Sequence, residues 1–250
     1  MSKQSKPAIV AVVIVVLTLA AGGLWWFLRD DSPPEVNLDT AAKGVTSSTD
    51  DDGSGSDDTA GGSSVDGTWT VDATSGAFDY ESATGTFVGF RIQENLVNVG
   101  ANTAVGRTNA VTGTMKIEGT KVTEASFTVD LTKLTSNDSS GFRDRRVQEA
   151  LGTGQFPNAT FELTQPIELG PNASDGSEVK VTAKGDLTIH GVTKPVELPL
   201  QAKLVDGTVV VVGSMEVTFA DFDVKVPSAP VLLSVDDHGI LELQLLLTKS

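Results

Sequence analysis

The chain contains only two histidines, and each stands directly before a glycine. His190 lies in the segment "DLTIHGVTKPVEL" and His238 lies in "VDDHGIL". An imidazole titrates near neutral pH, so it can move a proton, bind a metal or hydrogen-bond a ligand headgroup. A His-Gly pair between two alternating runs is also typical of a turn. We therefore expect both histidines to be turn residues, with His190 also a candidate contact for a ligand headgroup near a cavity mouth.

Two sets of charged side chains are further candidates for chemistry. Asp221 and Asp223 flank Phe222 and could share a proton as acid and base, although alternating acids beside an inward aromatic are typical of the solvent face of a strand. One basic cluster could meet a diphosphate headgroup or form the solvated face of a helix. Its members are Arg143, Arg145 and Arg146.

The motifs that mark common enzymes do not occur in the sequence. There is no G-x-S-x-G elbow, no glycine-rich phosphate loop and no His/Glu set with metal-ligand spacing. The chain also lacks cysteine, which excludes disulfides, thiolate metal ligands and cysteine nucleophiles. We predict no catalytic residues, no metal and no cofactor, and we do not expect the protein to be an enzyme.

The acidic composition limits the classes of partner. The 250 residues include 33 acidic and 18 basic side chains, for a formal net charge of -15. Nucleic acids and anionic lipid surfaces both require a basic face. We therefore exclude nucleic acid as a partner.

The N-terminal part predicts a membrane anchor. Residues 8–28 carry no charge, and at 1.5 Å per residue they span roughly 30 Å, the thickness of a bilayer core. Lys3 and Lys6 precede this run and acidic residues follow it, which places the N-terminus in the cytoplasm. A cleaved signal peptide is the alternative, because small residues stand near Ala20. We expect residues 1–29 to be a retained signal anchor that crosses the cell membrane once, with the rest of the chain extracytoplasmic.

Residues 30–65 have the composition of a linker. They contain nine acidic residues against one lysine and are rich in Ser, Thr and Gly. Such a segment buries too little apolar area to offset its ordering entropy, so we predict a disordered acidic spacer of roughly 30 to 36 Å. The cluster from Asp50 to Asp58 lacks the ligand spacing of an EF-hand, which favours a solvated spacer over a calcium loop.

The segment 66–250 predicts β structure almost throughout. Apolar residues recur at every second position, as in Val88, Phe90 and Ile92, and glycine-containing turns separate the runs. One segment, residues 139–152, instead predicts a short helix that ends at Gly152. Strands interrupted once by a helix, without βαβ alternation, favour a closed barrel or a sandwich.

Several motifs occur in an order and spacing that resemble a known family. They are "TWTVD", "GTFVGFRIQ", "FRDRRVQ", "FPNATFEL", "GDLTIHGVTKPVELPL" and "VDDHGILELQLLL". Over about residues 68–249 the sequence resembles the polyisoprenoid-binding YceI-like proteins, and it looks most like their actinobacterial, membrane-anchored branch. The resemblance implies an all-β, eight-stranded antiparallel, lipocalin-like β-barrel with a short helical insertion. It also implies an elongated apolar cavity for an isoprenoid lipid, which could be a polyprenol, a polyprenyl phosphate or an isoprenoid quinone.

The sequence departs from the family pattern at two positions. Many relatives carry a histidine where this chain has Glu94, and another where Arg145 follows the Arg143–Asp144 pair. A histidine-dependent metal or proton role is therefore not expected here. A lipid-binding role needs only an apolar tunnel of suitable shape, so it does not depend on these histidines.

Strand parity and side-chain size select the residues that we expect to line the cavity. They are Phe90, Phe127, Phe161, Ile189, Phe219 and Leu243. The same residues could be ordinary core packing, because a barrel of eight strands can fill itself with its own side chains. The alternatives to an isoprenoid carrier are a solid-cored, stress-related interaction module and an enzyme acting on a lipid. The sequence also leaves open a symmetric homodimer through the barrel rims.

Overall fold

Hydrogen bonds between the first and last strands close the fold into an antiparallel β-barrel. The computed structural model describes residues 32–49, 65–97, 99–137, 141–171, 173–226 and 232–250. Two helices are described, α1 (Leu38–Thr49) and α2 (Phe142–Ala150). The strands are β1 (Gly67–Val71), β2 (Phe87–Leu96), β3 (Gly100–Thr108), β4 (Val111–Glu118), β5 (Lys121–Asp130), β6 (Thr135–Ser136), β7 (Asn158–Leu163), β8 (Ile167–Glu168), β9 (Val179–Ile189), β10 (Val192–Val205), β11 (Thr208–Thr218), β12 (Leu232–Val235) and β13 (His238–Lys249).

Eight of these strands form the ring, in the order β1, β4, β5, β7, β9, β10, β11, β13 and back to β1. This confirms the prediction of an eight-stranded antiparallel barrel. The last strand divides its pairing, because Leu247 to Lys249 bond β1 whereas Ile240 to Gln244 bond β2. A sheet of β2, β3 and β6 therefore extends the wall on one side. We name the two ends of the barrel by their turns, the His190 end (β9–β10 turn) and the Gly119 end (β4–β5 turn).

The helical insertion is also confirmed. Helix α2 begins after Gly141, whose φ of 62° is left-handed, and the following Gly152 has a φ of 59°. Glycine tolerates this backbone conformation without steric cost, so the two glycines flank the helix. The apolar side of α2 closes part of the His190 end, as described below.

The prediction of a disordered linker over residues 30–65 is wrong for residues 38–49, because they form helix α1 against the outer wall of the barrel. Leu38 and Ala41 are buried, and they pack on Val210 and Leu246 of strands β11 and β13. The side chain of Asn37 caps the helix by accepting a hydrogen bond from the Thr40 amide at 3.1 Å. The helix forms because an apolar stripe meets an apolar outer wall, although the segment as a whole is polar. Residues 50–64 of the expected linker lie outside the described residues.

The outer face of β13 is covered from Glu242 to Leu246. Glu242 lies under the chain at Pro34, Gln244 donates to the Ala83 and Gly85 carbonyls at 2.7 and 2.8 Å, and Leu246 lies under α1. Each of the three β13 side chains is buried. Strand β13 is therefore buried on both faces from Glu242 to Leu246, and its outward polar side chains Glu242 and Gln244 are both bound to neighbouring groups.

Within the described ranges no helix is long and apolar enough to cross a bilayer. The anchor that we expect at residues 8–28 lies outside them.

Candidate functional site

An apolar void occupies the barrel interior toward the Gly119 end. Its volume is about 150 Å³, and its wall is built from inward-facing residues of seven ring strands and of β2. Polar side chains are rare in this wall, where Thr160, Ser177 and Lys203 are the ones present. The void thus has the low polarity needed by a hydrocarbon and too few partners for ordered water.

A second apolar void lies toward the His190 end. It measures about 140 Å³, and its described wall contains no charged or hydroxyl side chain. Helix α2 contributes Val147, Ala150 and Leu151 to one side, and the 3₁₀ turn Phe219–Phe222 closes the other. This end is therefore covered by two short elements rather than by the barrel strands themselves.

The two voids adjoin across a shared set of wall residues. These are Val88, Val129, Ala159 and Leu241, which belong to the linings of both. Ala159 and Val129 also face each other across the β5–β7 pair. Ala159 presents only a methyl group at the junction, and the two voids lie next to each other along the barrel.

All six residues predicted to line the cavity are in these walls. Phe127, Phe161 and Leu243 line the first void. Phe90, Ile189 and Phe219 line the second. All six therefore lie in the interior walls, and their contact with a ligand stays a prediction.

The residues predicted from the sequence to line the cavity all have large side chains, so the prediction does not include the small residues of the walls. Ala125, Ala159 and Ala183 line the voids at inward positions of β5, β7 and β9. An alanine on the inward face contributes wall without filling space, so it creates the void that a phenylalanine would occupy. The signal was available in the alternation of "FPNATFEL", where Ala159 and Phe161 share a face.

A buried ion pair holds β2, β3 and β13 together behind the voids. Arg107 of β3 and Glu242 of β13 are 1% and 0% exposed. The Arg107 Nε and Nη2 atoms both donate to Glu242 Oε1 at 2.9 Å. Arg107 Nη2 also donates to the Pro34 carbonyl at 2.8 Å, and the guanidinium stacks 4.3 Å from the Phe87 ring centroid. Two strands that do not pair with each other are thus joined by side chains, and the N-terminal segment is tied to them.

Gly89 makes this pairing possible. It lies on β2 between the two charged residues, opposite Glu242 on one side and Arg107 on the other. A Cβ at position 89 would lie 2.9 Å from Arg107 Cγ and 2.2 Å from the Gly106 carbonyl oxygen. The absent side chain lets the arginine cross over β2.

The structure separates the three arginines of the predicted headgroup cluster. Arg143 Nη2 donates to Glu94 Oε1 at 2.5 Å, and Asn102 donates to the same oxygen at 2.6 Å. Arg145 and Arg146 are exposed, and their guanidinium carbons lie 5.9 and 5.2 Å from the Phe142 ring centroid. Arg143 therefore fastens α2 to the β2–β3 hairpin, and the other two extend from the same helix.

His190 lies in the turn between β9 and β10 and has a left-handed backbone. Its φ of 52° is left-handed, so strand parity no longer applies to it. The ring is half-buried, contacts Phe156 edge to face at 4.9 Å, and its Nδ1 lies 3.2 Å from the Phe222 carbonyl oxygen. Since a carbonyl can only accept, Nδ1 carries the proton. His190 thus ties the β9–β10 turn to the 3₁₀ turn that covers the second void.

The remaining candidates lie on the surface. Asp221 and Asp223 are exposed, whereas Phe222 between them is buried in the wall of the second void. The ring of His238 lies 3.0 Å from Asp237 Oδ1 and 4.0 Å from a carboxylate oxygen of Glu216. The hydrogen bond with Asp237 raises the pKa of His238. Among the described residues, no three His, Asp or Glu side chains come together as metal ligands.

Comparison with known proteins identifies the same region as a recognised domain. A family model described as a YceI-like domain matches residues 69–247. The chain is 26% identical over 157 residues to the UPF0312 protein VPA0850 of Vibrio parahaemolyticus, which covers 59% of this chain and 78% of that protein. It is 32% identical over 121 residues to Protein YceI of Escherichia coli O157:H7, covering 48% and 56% respectively.

A solved structure shows the same fold. The polyisoprenoid binding domain from Saccharophagus degradans, implicated in plant cell wall breakdown, superposes with a TM-score of 0.53 at 16% identity. The match covers 73% of this chain and 98% of that one. At this identity the likeness concerns the fold and not the ligand.

Proposed function

The chain belongs to the YceI-like family, and from that premise we propose that it is a membrane-anchored, extracytoplasmic protein that binds an isoprenoid lipid in its barrel. The ligand would be a polyprenol, a polyprenyl phosphate or an isoprenoid quinone, bound without catalysis. The observation that carries the proposal is the pair of adjoining apolar voids along the barrel. A solid-cored interaction module would have no use for such a space.

The voids suit a long unbranched or methyl-branched chain better than a compact polar molecule. Their walls offer almost no hydrogen-bonding side chains, so affinity must come from apolar burial. Each 100 Å² of apolar surface removed from water contributes about 2.5 kcal/mol. The Saccharophagus degradans domain of the same fold is named for polyisoprenoid binding, and extending that ligand to this chain is part of our proposal.

The proposed headgroup contacts are at the His190 end. Arg145 and Arg146 are exposed on α2, the helix that covers the second void, and His190 lies on the adjacent turn. A phosphate headgroup leaving the void past α2 would meet these guanidinium groups. Replacing both arginines with alanine should weaken binding of a polyprenyl phosphate and leave binding of the corresponding polyprenol unchanged.

Photocrosslinking tests the proposed site directly. The full-length chain, reconstituted in phosphatidylcholine nanodiscs, would be exposed to a radiolabelled polyprenol carrying a diazirine. We expect labelled peptides from β2 and β7, which hold Phe90 and Phe161. The variant Ala159→Phe, which fills the junction of the voids, should lose this labelling. Its matched control is Asn158→Phe, which adds the same ring at the exposed neighbouring position. Equal labelling in both variants, or labelling confined to residues 8–28, would refute the proposed site.

A further inference from the structure

Exposed apolar side chains gather at one end of the barrel. Of the six large apolar residues that are exposed among the described ones, five lie at the His190 end, and we call these five the apolar rim. They are Val97, Val99, Phe142, Val226 and Leu233. Leu233 is 67% exposed and Val99 is 58% exposed. Single exposed apolar residues are ordinary on a protein surface, but a group of them at one end indicates an interaction surface.

The chain segments themselves bring these residues together. Val97 and Val99 form the turn between β2 and β3, and β12, which carries Leu233, pairs with the end of β2 at Leu96. Phe142 stands next to Arg143, which is bound to Glu94 of β2. The apolar rim is thus assembled around the free end of the β2–β3 hairpin.

The apolar rim and the second void are connected by three chain segments that contribute to both. Strand β2 lines the void with Phe90 and Ile92 before it reaches Val97. Helix α2 begins at Phe142 and lines the void with its later residues, and Val224 of the void wall precedes Val226 by two positions. Three segments that line the second void therefore continue to the apolar rim, and on two of them, β2 and α2, the Glu94–Arg143 ion pair lies between the void and the rim.

The point where the N-terminal segment joins the barrel argues for a lipid bilayer as the occupant. The Pro34 carbonyl accepts hydrogen bonds from Arg107 and, at 3.4 Å, from Arg91 of β2. Only residues 29–32 separate the expected anchor from Pro33, and five peptide links span at most about 18 Å. The rise from Arg91 to the end of β2 is about 17 Å. A bilayer that holds residues 8–28 is therefore within reach of the apolar rim.

The charges around the apolar rim are mixed and do not select an anionic surface. The exposed charged residues of the segments at this end include both signs: Arg145, Arg146 and Lys225 are basic, and Asp221, Asp223 and Asp237 are acidic. Attraction between exposed opposite charges is screened over about 10 Å at 0.1 M salt. Contact with a membrane must then come from burial of the apolar side chains in the boundary between headgroups and acyl chains.

We propose that the apolar rim docks into the outer surface of the bilayer that anchors the chain, so that the second void faces the hydrocarbon from which it loads. This inference rests on the proposed function for the ligand and for the anchor. A docked mouth would let an isoprenoid chain move between bilayer and barrel with little exposure to water.

Fluorescent labelling of the full-length chain tests the docking. The chain has no natural cysteine, so Val99→Cys and Leu233→Cys each give one labelling site at the apolar rim. Thr120→Cys, at the exposed Gly119 end, is the matched control. Each variant, labelled with an environment-sensitive dye, would be reconstituted in phosphatidylcholine vesicles free of isoprenoid. We expect a blue shift at positions 99 and 233, loss of fluorescence when spin-labelled phosphatidylcholine is added, and neither effect at position 120. Raising the salt should leave the signal unchanged.

The other outcomes overturn the proposal in distinguishable ways. Flotation of the vesicles reports anchoring independently, so a chain that floats while the dyes at 99 and 233 stay in water refutes docking and leaves the anchor intact. A blue shift without quenching by the spin-labelled lipid would assign the apolar rim to a second copy of the chain. A chain that fails to float refutes the anchor and the docking together. Because the vesicles contain no isoprenoid, none of these results depends on ligand binding.

Discussion

The buried ion pair predicts a large loss of stability when one partner is removed. In Glu242→Ala the guanidinium of Arg107, 1% exposed, keeps its place without its carboxylate. At an effective dielectric constant of about 20, unit charges about 4 Å apart attract by about 4 kcal/mol. Breaking a buried pair from one side typically costs about 3 to 5 kcal/mol, and we expect Glu242→Ala to fall in that range.

Two comparisons separate burial from the mere presence of an ion pair. Lys116 Nζ lies 2.8 Å from Glu118 Oε1, but these side chains are 42% and 57% exposed, so Glu118→Ala should cost far less stability than Glu242→Ala. The double variant Arg107→Met with Glu242→Leu removes the charges of Arg107 and Glu242 and leaves Arg91, whose Nη1 lies 3.7 Å from Glu242 Oε2 in the natural chain. Glu242→Ala takes the carboxylate away from two arginines rather than one, so the double variant should cost less than Glu242→Ala alone. The Pro34 carbonyl keeps Arg91 as a donor in that variant.

The assay is urea unfolding of the full-length chain in mild detergent, followed by far-ultraviolet circular dichroism. Equal costs of Glu242→Ala and Glu118→Ala would contradict the role of burial. A double variant that costs as much as Arg107→Met and Glu242→Leu added together would show that the two residues act independently, which contradicts the ion pair.

Three further predictions follow from particular contacts. Gly89→Ala places a methyl group against the Gly106 carbonyl and Arg107, so it should lower the free energy of unfolding by about 1 to 3 kcal/mol in the same assay. In Gly207→Ala the added methyl group meets no atom within 4 Å, so this variant should cost less despite its left-handed backbone. Ala41→Asp puts a charge into the buried face of α1, so limited proteolysis should cleave within residues 38–49 while the barrel stays folded. Thr40→Asp, at an exposed position of the same helix, should not be cleaved there. Equal cleavage of both variants would contradict the packing of α1 on the barrel wall. The hydrogen bond with Asp237 raises the pKa of His238, so the proton NMR titration of His238 should have a midpoint above 6.5 that falls in Asp237→Asn. An unchanged midpoint in Asp237→Asn would exclude this pair. Because the folded state holds the proton more tightly, the pair stabilises the fold at acid pH, and this contribution disappears as the pH rises through the folded-state pKa.

The interior of the barrel was predictable because its residues obey one periodicity. Val88, Phe90 and Ile92 alternate along β2; Val88 lines both voids, and the other two line the second. The volume left between such residues was not predictable, since it depends on how side chains of unequal size from eight strands pack together in the interior. The inward alanines, Ala125, Ala159 and Ala183, contribute to this volume, and alanine carries no strong β signal.

The covered outer wall could have been inferred from two runs that break the alternation. Residues 209–212 are four consecutive valines, and "LLL" at 245–247 follows Gln244. A strand that is apolar on both faces needs a second covering layer. The covering helix was also visible as Leu38, Ala41, Ala42 and Val45 at helical spacing after Asn37. The polar composition of the whole segment hid this short stripe.

The residues that hold the elements together were not predictable from sequence. Arg107 and Glu242 are 135 positions apart, and only the register of β3, β2 and β13 places them on one row. The direction of the His190 side chain does not follow the alternation of β9, because the His190 backbone is left-handed. A pattern of alternating residues does not reveal such a backbone conformation. Such contacts depend on tertiary register, and local periodicity carries no information about it.

The most direct test of the central claim is native mass spectrometry of the full-length chain, released gently from its own membrane, together with extraction of the lipid that remains bound. Binding in the barrel predicts one isoprenoid per chain in the natural protein and in Asn158→Phe, and none in Ala159→Phe. A folded barrel that is empty in all three, and that takes up neither added prenols nor added quinones, would contradict the claim and favour an interaction module without a lipid ligand.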